Sequence, residues 1–307
     1  MAPPRIGLAL GSGSARGWAH IGVIEALGEA GIEADVVCGT SIGALVGAAH
    51  VAGRLPELRR RAEELTWRQI VALMDIRLVG GGLVDGTRVV AWLKALGIDG
   101  PIEGHSRRYA AVATDLASGR EIWFESGPIL DAVRASIAFP GILSPVKIDG
   151  HWLVDGGLSN PVPVSVCRAL GAEVIIAVNL NGDLLGRRLA DDPPADGLQP
   201  APISNEFLAG VLGQLPPALR AQGTQIVRRL LPRRPATPGY FEVLANSINI
   251  MQDYVTRARL AGEPPHVMLT PRLRDIGLME YNRAAEAIAE GRRCVEQALP
   301  TLRHYCH

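Results

Sequence analysis

Ser41 lies at the centre of the pentapeptide GTSIG, residues 39–43. This sequence matches the G-x-S-x-G pattern that, between a strand and a helix, is typical of a nucleophile elbow. Gly39 and Gly43 have a steric role in such a turn, because the serine backbone is strained and side chains at the flanking positions would collide across it. The pattern predicts that Ser41 is a nucleophile; the alternative is a serine that only caps the next helix.

A glycine-rich loop, GSGSARG at residues 11–17, precedes this motif. Its backbone N–H groups can converge on one negative charge just before a helix begins. The loop is therefore a candidate oxyanion hole and, equally, a candidate dinucleotide site. The dinucleotide pattern fits less well, because Arg16 stands where G-x-G-x-x-G needs its third glycine. In addition, the acidic residues Glu33 and Asp35 precede the second strand instead of ending it.

A third element, Asp155-Gly156-Gly157, directly follows the strand pattern of residues 152–154. A carboxylate at a strand end, followed by two glycines, can be approached closely by another backbone or side chain. The alternative is an aspartate that only begins a turn. Asp85 and the glycine after it nearly repeat this pattern, but a helical segment follows them, so we interpret Asp85 as the N-cap of that helix.

None of the seven histidines lies in a glycine-flanked loop late in the chain, where the hydrolase order of serine, acid and histidine would place one. His20 and His50 lie on the first and second predicted helices, so we expect both to be packing or surface residues. A catalytic histidine among the seven stays open at this point.

The elements that must position these residues alternate between strands and helices. Strand patterns occupy residues 6–10, 35–38, 109–114, 121–124, 147–148, 151–154, 173–179 and 266–269. Helical patterns occupy residues 18–30, 42–51, 59–65, 87–96, 128–138, 240–260 and 281–299. Residues 11–17 are predicted to form a turn, and Asp149-Gly150 is a type I′ hairpin signal. The alternation predicts a three-layer α/β/α fold with a mostly parallel central sheet.

Composition narrows the choice of partners and compartment. The chain has 31 basic and 31 acidic residues, so its net charge gives no reason to expect nucleic acid as a partner. The four cysteines are scattered, which favours a reducing cytoplasm over a disulfide framework or a zinc site. No signal-peptide pattern and no apolar run of the ~20 residues that span a bilayer are present, so we expect only peripheral membrane contact.

We expect one domain over residues 1–307, with an insertion at about residues 182–238 in which prolines cluster. The insertion contains two apolar segments, residues 207–212 and 226–231. It also contains a basic cluster: Arg228, Arg229, Arg233 and Arg234. Apolar residues beside arginines suit shallow contact with lipid, so we predict a cover over the active site that contacts the inner face of the membrane. The alternative is an ordinary helical hairpin packed on the body.

Taken in this order, GSGSARG, GTSIG and DGG resemble the motifs of patatin-like phospholipases, particularly the bacterial members. The likeness also takes in TDL at residues 114–116, RASIAFPG at 134–141 and SNP at 159–161, so it covers roughly residues 5–180. One departure is that serines occupy positions 12 and 14, where many family members carry glycine at the first. Backbone donors survive that change.

The resemblance implies a serine–aspartate dyad without histidine, in which Ser41 is acylated and Asp155 takes and returns its proton. It also implies that the N–H groups of Gly11, Ser12 and Gly13 hold the oxyanion. Arg16 would brace this loop or meet a phosphate, and no metal or cofactor is required.

The function expected from the resemblance is a lipid acyl hydrolase that acts on phospholipids or lysophospholipids. One alternative is an acyltransferase that uses the same acyl-serine, because water and an alcohol compete for one intermediate. Two others are a lipid-binding regulatory module with a vestigial dyad and a nucleotide-binding protein that uses the first glycine loop.

Overall fold

The computed structural model describes residues 3–73, 85–184 and 240–306. Its strands are β1 (Ile6–Leu10), β2 (Val36–Thr40), β3 (Arg108–Asp115), β4 (Glu121–Phe124), β5 (Val146–Ile148), β6 (His151–Asp155), β7 (Val174–Val178) and β8 (Val267–Leu269). Hydrogen-bonded pairs connect them into one sheet along the path β5-β6-β3-β2-β1-β7-β8, and β4 also pairs with β3. β3, β2, β1, β7 and β8 are parallel neighbours, whereas β4, β5 and β6 join by antiparallel pairs. The predicted mostly parallel sheet is confirmed.

Helices follow or separate the strands. They are α1 (Ala19–Glu29), α2 (Ile42–Val51), α3 (Leu55–Glu63), α4 (Trp67–Leu73), α5 (Thr87–Ala95), α6 (Ile129–Ser136), α7 (Val164–Ala169), α8 (Tyr240–Gly262) and α9 (Ala284–Cys306). Within the described ranges, no helix is long and apolar enough to cross a membrane. Most of the predicted insertion, including its apolar segments and its arginine cluster, lies outside the described residues.

Several predicted boundaries differ from the structure. α3 begins at Leu55, four residues before the predicted start, because Pro56 is tolerated in the first turn of a helix. The predicted turn at residues 11–17 contains the start of a 3₁₀ helix, Ser14–Trp18. Asp85 is not the N-cap of α5: Gly86 occupies that position, and Asp85 Oδ2 instead accepts a hydrogen bond from Thr87 Oγ1 at 2.7 Å. α4 and α7 are short and were not predicted.

The sheet is covered on both faces, which completes the three layers. Leu8 and Leu10 of β1 point to the face packed by α1, α2, α6 and α9. Ala9, between them, points to the face packed by α7 and by Leu260 of α8. Because both faces are buried, β1 is apolar throughout and does not alternate with polar residues.

β2 and β6 approach each other along one edge of β3. Ala111 pairs with both β2 and β4, and Ala113 pairs with both β4 and β6. At any one residue, each of the two edges of a strand pairs with a single neighbour. Because β4 occupies one edge of β3 at both Ala111 and Ala113, β2 and β6 must both pair with the opposite edge. β2 ends at Thr40 opposite Val112, and β6 ends at Asp155 opposite the next residue. Because β2 is parallel and β6 antiparallel to β3, their carboxyl ends meet head to head.

α1 and α9 pack with their backbones in contact. A Cβ atom on Gly22 would lie 1.9 Å from the carbonyl oxygen of Ile288, and one on Gly291 would lie 2.0 Å from that of Ala19. Real Cβ atoms do not approach carbonyl oxygens this closely, so both positions need glycine. The crossing attaches α9 to the helix that follows the first glycine loop.

We expect Gly22→Ala to lower the free energy of unfolding by about 1–3 kcal/mol, because the new methyl group forces α9 away from α1. Gly28→Ala is the matched control on the same helix, since a Cβ there meets nothing within 4 Å. The control should raise the free energy of unfolding by about 0.5–1 kcal/mol through helix propensity. Urea unfolding of both variants measures the difference, and equal effects would contradict the close crossing.

Candidate active site

Ser41 occupies the turn between β2 and α2 with a strained backbone. Its φ is 58° and its ψ is −125°, a conformation that residues other than glycine rarely adopt and that costs on the order of 1–3 kcal/mol. The Ser41 N–H donates to Ser136 Oγ at 2.8 Å, and that hydroxyl donates to the carbonyl of Val112 at 2.6 Å. The end of α6 therefore holds the strained residue in place.

Gly39 and Gly43 leave the room that this turn requires. A Cβ atom on Gly39 would lie 2.4 Å from the backbone nitrogen of Ala44, within the first turn of α2. A Cβ atom on Gly43 would lie 2.2 Å from the carbonyl oxygen of Leu10 in β1. The clash at position 43 is thus with the neighbouring strand, and not across the turn as the sequence suggested.

Ser41 and Asp155 are in direct contact, although they lie 114 positions apart. Ser41 Oγ donates to Asp155 Oδ2 at 2.5 Å. The head-to-head ends of β2 and β6 produce this contact, and Gly156 permits it, since a Cβ there would lie 2.1 Å from the Val112 carbonyl oxygen. The structure brings Ser41 together with Asp155. The Asp85 carboxylate instead accepts a hydrogen bond from Thr87 at the start of α5.

Asp155 is almost completely buried, with 1% of its surface exposed. Its Oδ1 accepts the N–H of Gly157 at 2.7 Å, and its carbonyl oxygen accepts Thr114 Oγ1 at 2.9 Å. Burial raises the pKa of Asp155 to about 6, and the hydrogen bonds from Ser41 and Gly157 oppose this rise. The carboxylate is therefore more basic than an exposed aspartate, yet mostly ionised at neutral pH.

Two backbone N–H groups of the first glycine loop donate hydrogen bonds to carbonyl groups elsewhere in the protein. The Gly11 N–H donates to the Val178 carbonyl at 3.1 Å, and the Ser12 N–H donates to the Pro161 carbonyl at 2.8 Å. Of the three predicted oxyanion donors, only Gly13 has an N–H without an acceptor among the described residues. The expectation for Gly11 and Ser12 needs correction, because their N–H groups attach the loop to β7 and to the SNP motif.

Two buried side chains, those of Arg16 and His20, donate hydrogen bonds to this loop. Arg16 Nε donates to the carbonyl of Gly13 at 3.3 Å, and burial lowers the pKa of Arg16 to about 10, so it stays charged at neutral pH. His20 Nε2 lies 2.8 Å from the Gly11 carbonyl oxygen and must carry the proton, because a carbonyl only accepts. Burial lowers the pKa of His20 to about 4, so the ring is neutral. Arg16 thus hydrogen-bonds to the loop; its role as a brace and a contact with phosphate both stay predictions.

Sequence reasoning missed two polar contacts and left one question open. Ser136 lies in the RASIAFPG stretch, but nothing in its type or spacing indicated a bond to the Ser41 N–H. Gln252 of α8, whose amide oxygen accepts from Ser12 Oγ at 3.1 Å, gave no sequence signal at all. Within the described part of the chain, no histidine hydrogen-bonds to Ser41 or Asp155.

An apolar cleft, partly open to solvent, lies beside Ser41. Its described walls carry no charged side chain and include Trp18, Leu45, Trp92, Ile137, Phe139 and Tyr281. The Trp18 and Tyr281 rings pack edge to face with centroids 6.0 Å apart. Its mostly aliphatic and aromatic lining suits an apolar chain.

Comparison with known proteins gives matches to a family model, to curated relatives and to a solved structure. The model of the patatin-like phospholipase family matches residues 8–168. An uncharacterized NTE family protein of Mycobacterium tuberculosis is 35% identical over 96% of this chain and 91% of its own length. Patatin-like phospholipase domain-containing protein 7 of Rattus norvegicus is 34% identical over 57% of this chain, but only over 13% of its own. Among solved structures, VipD from Legionella pneumophila aligns with a TM-score of 0.47 and 12% identity, covering 99% of this chain and 67% of VipD.

We expect Asp155→Asn to make the protein more resistant to urea at pH 8 than the wild type. Folding raises the pKa of this carboxyl from 3.8 to about 6, so its contribution to stability is fully present below the unfolded value and is lost as the pH rises through 6. Asparagine has no charge to bury, so the advantage of the variant should shrink as the pH falls toward 4. A constant difference between pH 4 and pH 8 would contradict the buried, ionising carboxyl.

Proposed function

Because this chain belongs to the patatin-like phospholipase family, we propose that it is a lipid acyl hydrolase that cleaves a carboxylic ester of a phospholipid or lysophospholipid through an acyl-Ser41 intermediate. Lipid hydrolysis is the general activity of this family. The observation that carries the proposal is the 2.5 Å hydrogen bond from Ser41 Oγ to the buried carboxylate of Asp155. A hydroxyl that is hydrogen-bonded to a base in this way is an activated nucleophile.

In the first half of the proposed reaction, Asp155 accepts the Ser41 proton while Oγ attacks the carbonyl carbon of the ester. The tetrahedral intermediate collapses, the bond to the leaving alcohol breaks, and Asp155 returns the proton to that alcohol. In the second half, Asp155 takes a proton from water, which attacks the acyl-serine, and Ser41 leaves with the proton restored. A fatty acid is released, and the dyad returns to its starting state.

We assign the oxyanion to two backbone donors. One is the N–H of Gly13, which has no acceptor in the described structure. The other is the N–H of Ile42, the residue after the nucleophile, which supplies a donor in nucleophile elbows and opens the first turn of α2. The positive end of the α2 dipole adds to their effect. A donor of this kind contributes about 3–4 kcal/mol to transition-state stabilisation in related chemistry.

The apolar cleft supports a lipid acyl chain as the substrate group beside Ser41. An acyl chain fills space between aliphatic and aromatic walls, and its burial contributes about 0.8 kcal/mol per CH₂ group. The uncharged lining of the described walls offers nothing to a charged head group. The proposed orientation therefore has the acyl chain in the cleft and the head group outside it.

Ser41→Ala is expected to abolish ester hydrolysis without unfolding the protein, because it removes the nucleophile and leaves the helices and strands around it intact. The assays are turnover of a short-chain nitrophenyl ester and covalent labelling by a fluorophosphonate. Ser247→Ala, at an exposed position of α8, is the matched control and should behave as the wild type. A folded Ser41→Ala protein with more than a trace of wild-type turnover would overturn the proposal.

Asp155→Asn is expected to lower kcat at least ~10²-fold, because it removes the general base. Asp85→Asn is the control with the nearly identical sequence pattern and should stay within about twofold of wild type, since asparagine retains an acceptor for Thr87. In the wild type, kcat/KM should rise with pH and level off above about 6, where Asp155 is ionised. A half-maximal rate near pH 4, or a crippling Asp85→Asn, would show that Asp155 is not the base.

A further inference from the structure

Part of α8 exposes large apolar side chains and buries polar ones. Its exposed residues include four large apolar ones: Val243, Ile250, Met251 and Tyr254. Its buried residues include three polar ones: Gln252, Asp253 and Thr256. A surface helix normally buries an apolar stripe against the core. Ile248 is the buried apolar residue of this part of α8, and polar interactions add to its packing in holding the helix on the protein.

Two of the polar side chains of α8 bind the first glycine loop. Gln252 Oε1 accepts from Ser12 Oγ at 3.1 Å and from Asn181 Nδ2 at 3.0 Å. One helical turn earlier, Asn249 Oδ1 accepts from Arg16 Nη2 at 3.3 Å. Positions 249 and 252 lie on the same side of a helix. α8 therefore contacts the loop at both ends of the SGSAR segment, residues 12–16.

The same face of α8 also touches the loop after Asp155. A Cβ atom on Gly157 would lie 2.4 Å from Gln252 Nε2 and 2.9 Å from Asp155 Oδ1. The glutamine amide and the carboxylate thus border the same small space, next to the N–H that donates to Asp155. Further along the helix, Arg259 donates to the Ser159 carbonyl at 3.2 Å.

We propose that Gln252 is a positioning residue that holds the first glycine loop in place relative to the Asp155 loop. The inference rests on the function proposed above. Ser12 immediately precedes Gly13, so a shift of Ser12 moves the Gly13 N–H away from the oxyanion, and a displacement of ~1 Å can cost 10²-fold in rate. The link depends on the hydroxyl of Ser12, because a glycine at that position would have no side chain to donate to Gln252.

The first test is Gln252→Met, which keeps the length of the side chain and removes its hydrogen bonds. We expect kcat on a short-chain ester to fall about 10- to 100-fold, with KM within about twofold of wild type, because substrate binding in the apolar cleft is untouched. Gln297→Met, at an exposed position of α9, is the matched control and should leave both constants unchanged. A wild-type kcat in folded Gln252→Met, or a change confined to KM, would overturn the inference.

The second test removes the same hydrogen bond from its other end. Ser12→Ala should also lower kcat, and the double variant Ser12→Ala with Gln252→Met should be no slower than Gln252→Met alone, because both changes break one link. Multiplied effects in the double variant would overturn the inference. If Gln252→Met does not fold, Ser12→Ala decides alone, since wild-type kcat in that variant rejects the link.

Ser41→Ala in the same assay separates this inference from the proposed function. Turnover retained by Ser41→Ala rejects the acyl-serine mechanism and the inference with it. An inactive Ser41→Ala together with a fully active Gln252→Met rejects only the role of Gln252.

Discussion

The head-to-head meeting of β2 and β6 on one edge of β3 is the constraint on which the rest of the active site depends. Thr40 and Asp155 pair with consecutive residues of β3. Ser41, the residue after Thr40, therefore lies within direct hydrogen-bonding distance of the Asp155 carboxylate. A relay residue between hydroxyl and carboxylate has no place in this arrangement. The register of backbone hydrogen bonds, and not a flexible loop, sets the position of the Asp155 carboxylate relative to Ser41.

The features that activate the site also destabilise the fold. Ser41 has a backbone conformation that other residues avoid, and Asp155 is an ionised carboxylate that burial disfavours. Ser41 directly follows one strand, and Asp155 ends another, of a sheet that is packed by buried apolar residues on both faces. The stability of a large core can offset such local strain. This offset allows Ser41 and Asp155 to remain in direct contact.

The sequence predicted the elements and motifs well and the loop contacts poorly. The bounds of α2 and of β4 agree with the predicted segments, because each has an unambiguous apolar pattern between clear turn signals. The acceptors of the Gly11 and Ser12 N–H groups, Val178 and Pro161, were not predictable, since a backbone donor carries no sequence signal about its distant partner. Gln252 escaped detection because a polar residue on a helix ordinarily indicates the solvent-facing side.

The chain order of the site has a consequence for synthesis at the ribosome. Ser41 is made first, Asp155 follows 114 positions later, and the partner of Ser12 on α8 follows Ser12 by 240 positions. A nascent chain therefore has the proposed nucleophile without its proposed base, and then both residues with a glycine loop that is not yet attached to α8. At about 5–20 residues per second, roughly 10–40 seconds separate the nucleophile from the glutamine. Under the proposed mechanism, a complete site is therefore present only after α8 has been made.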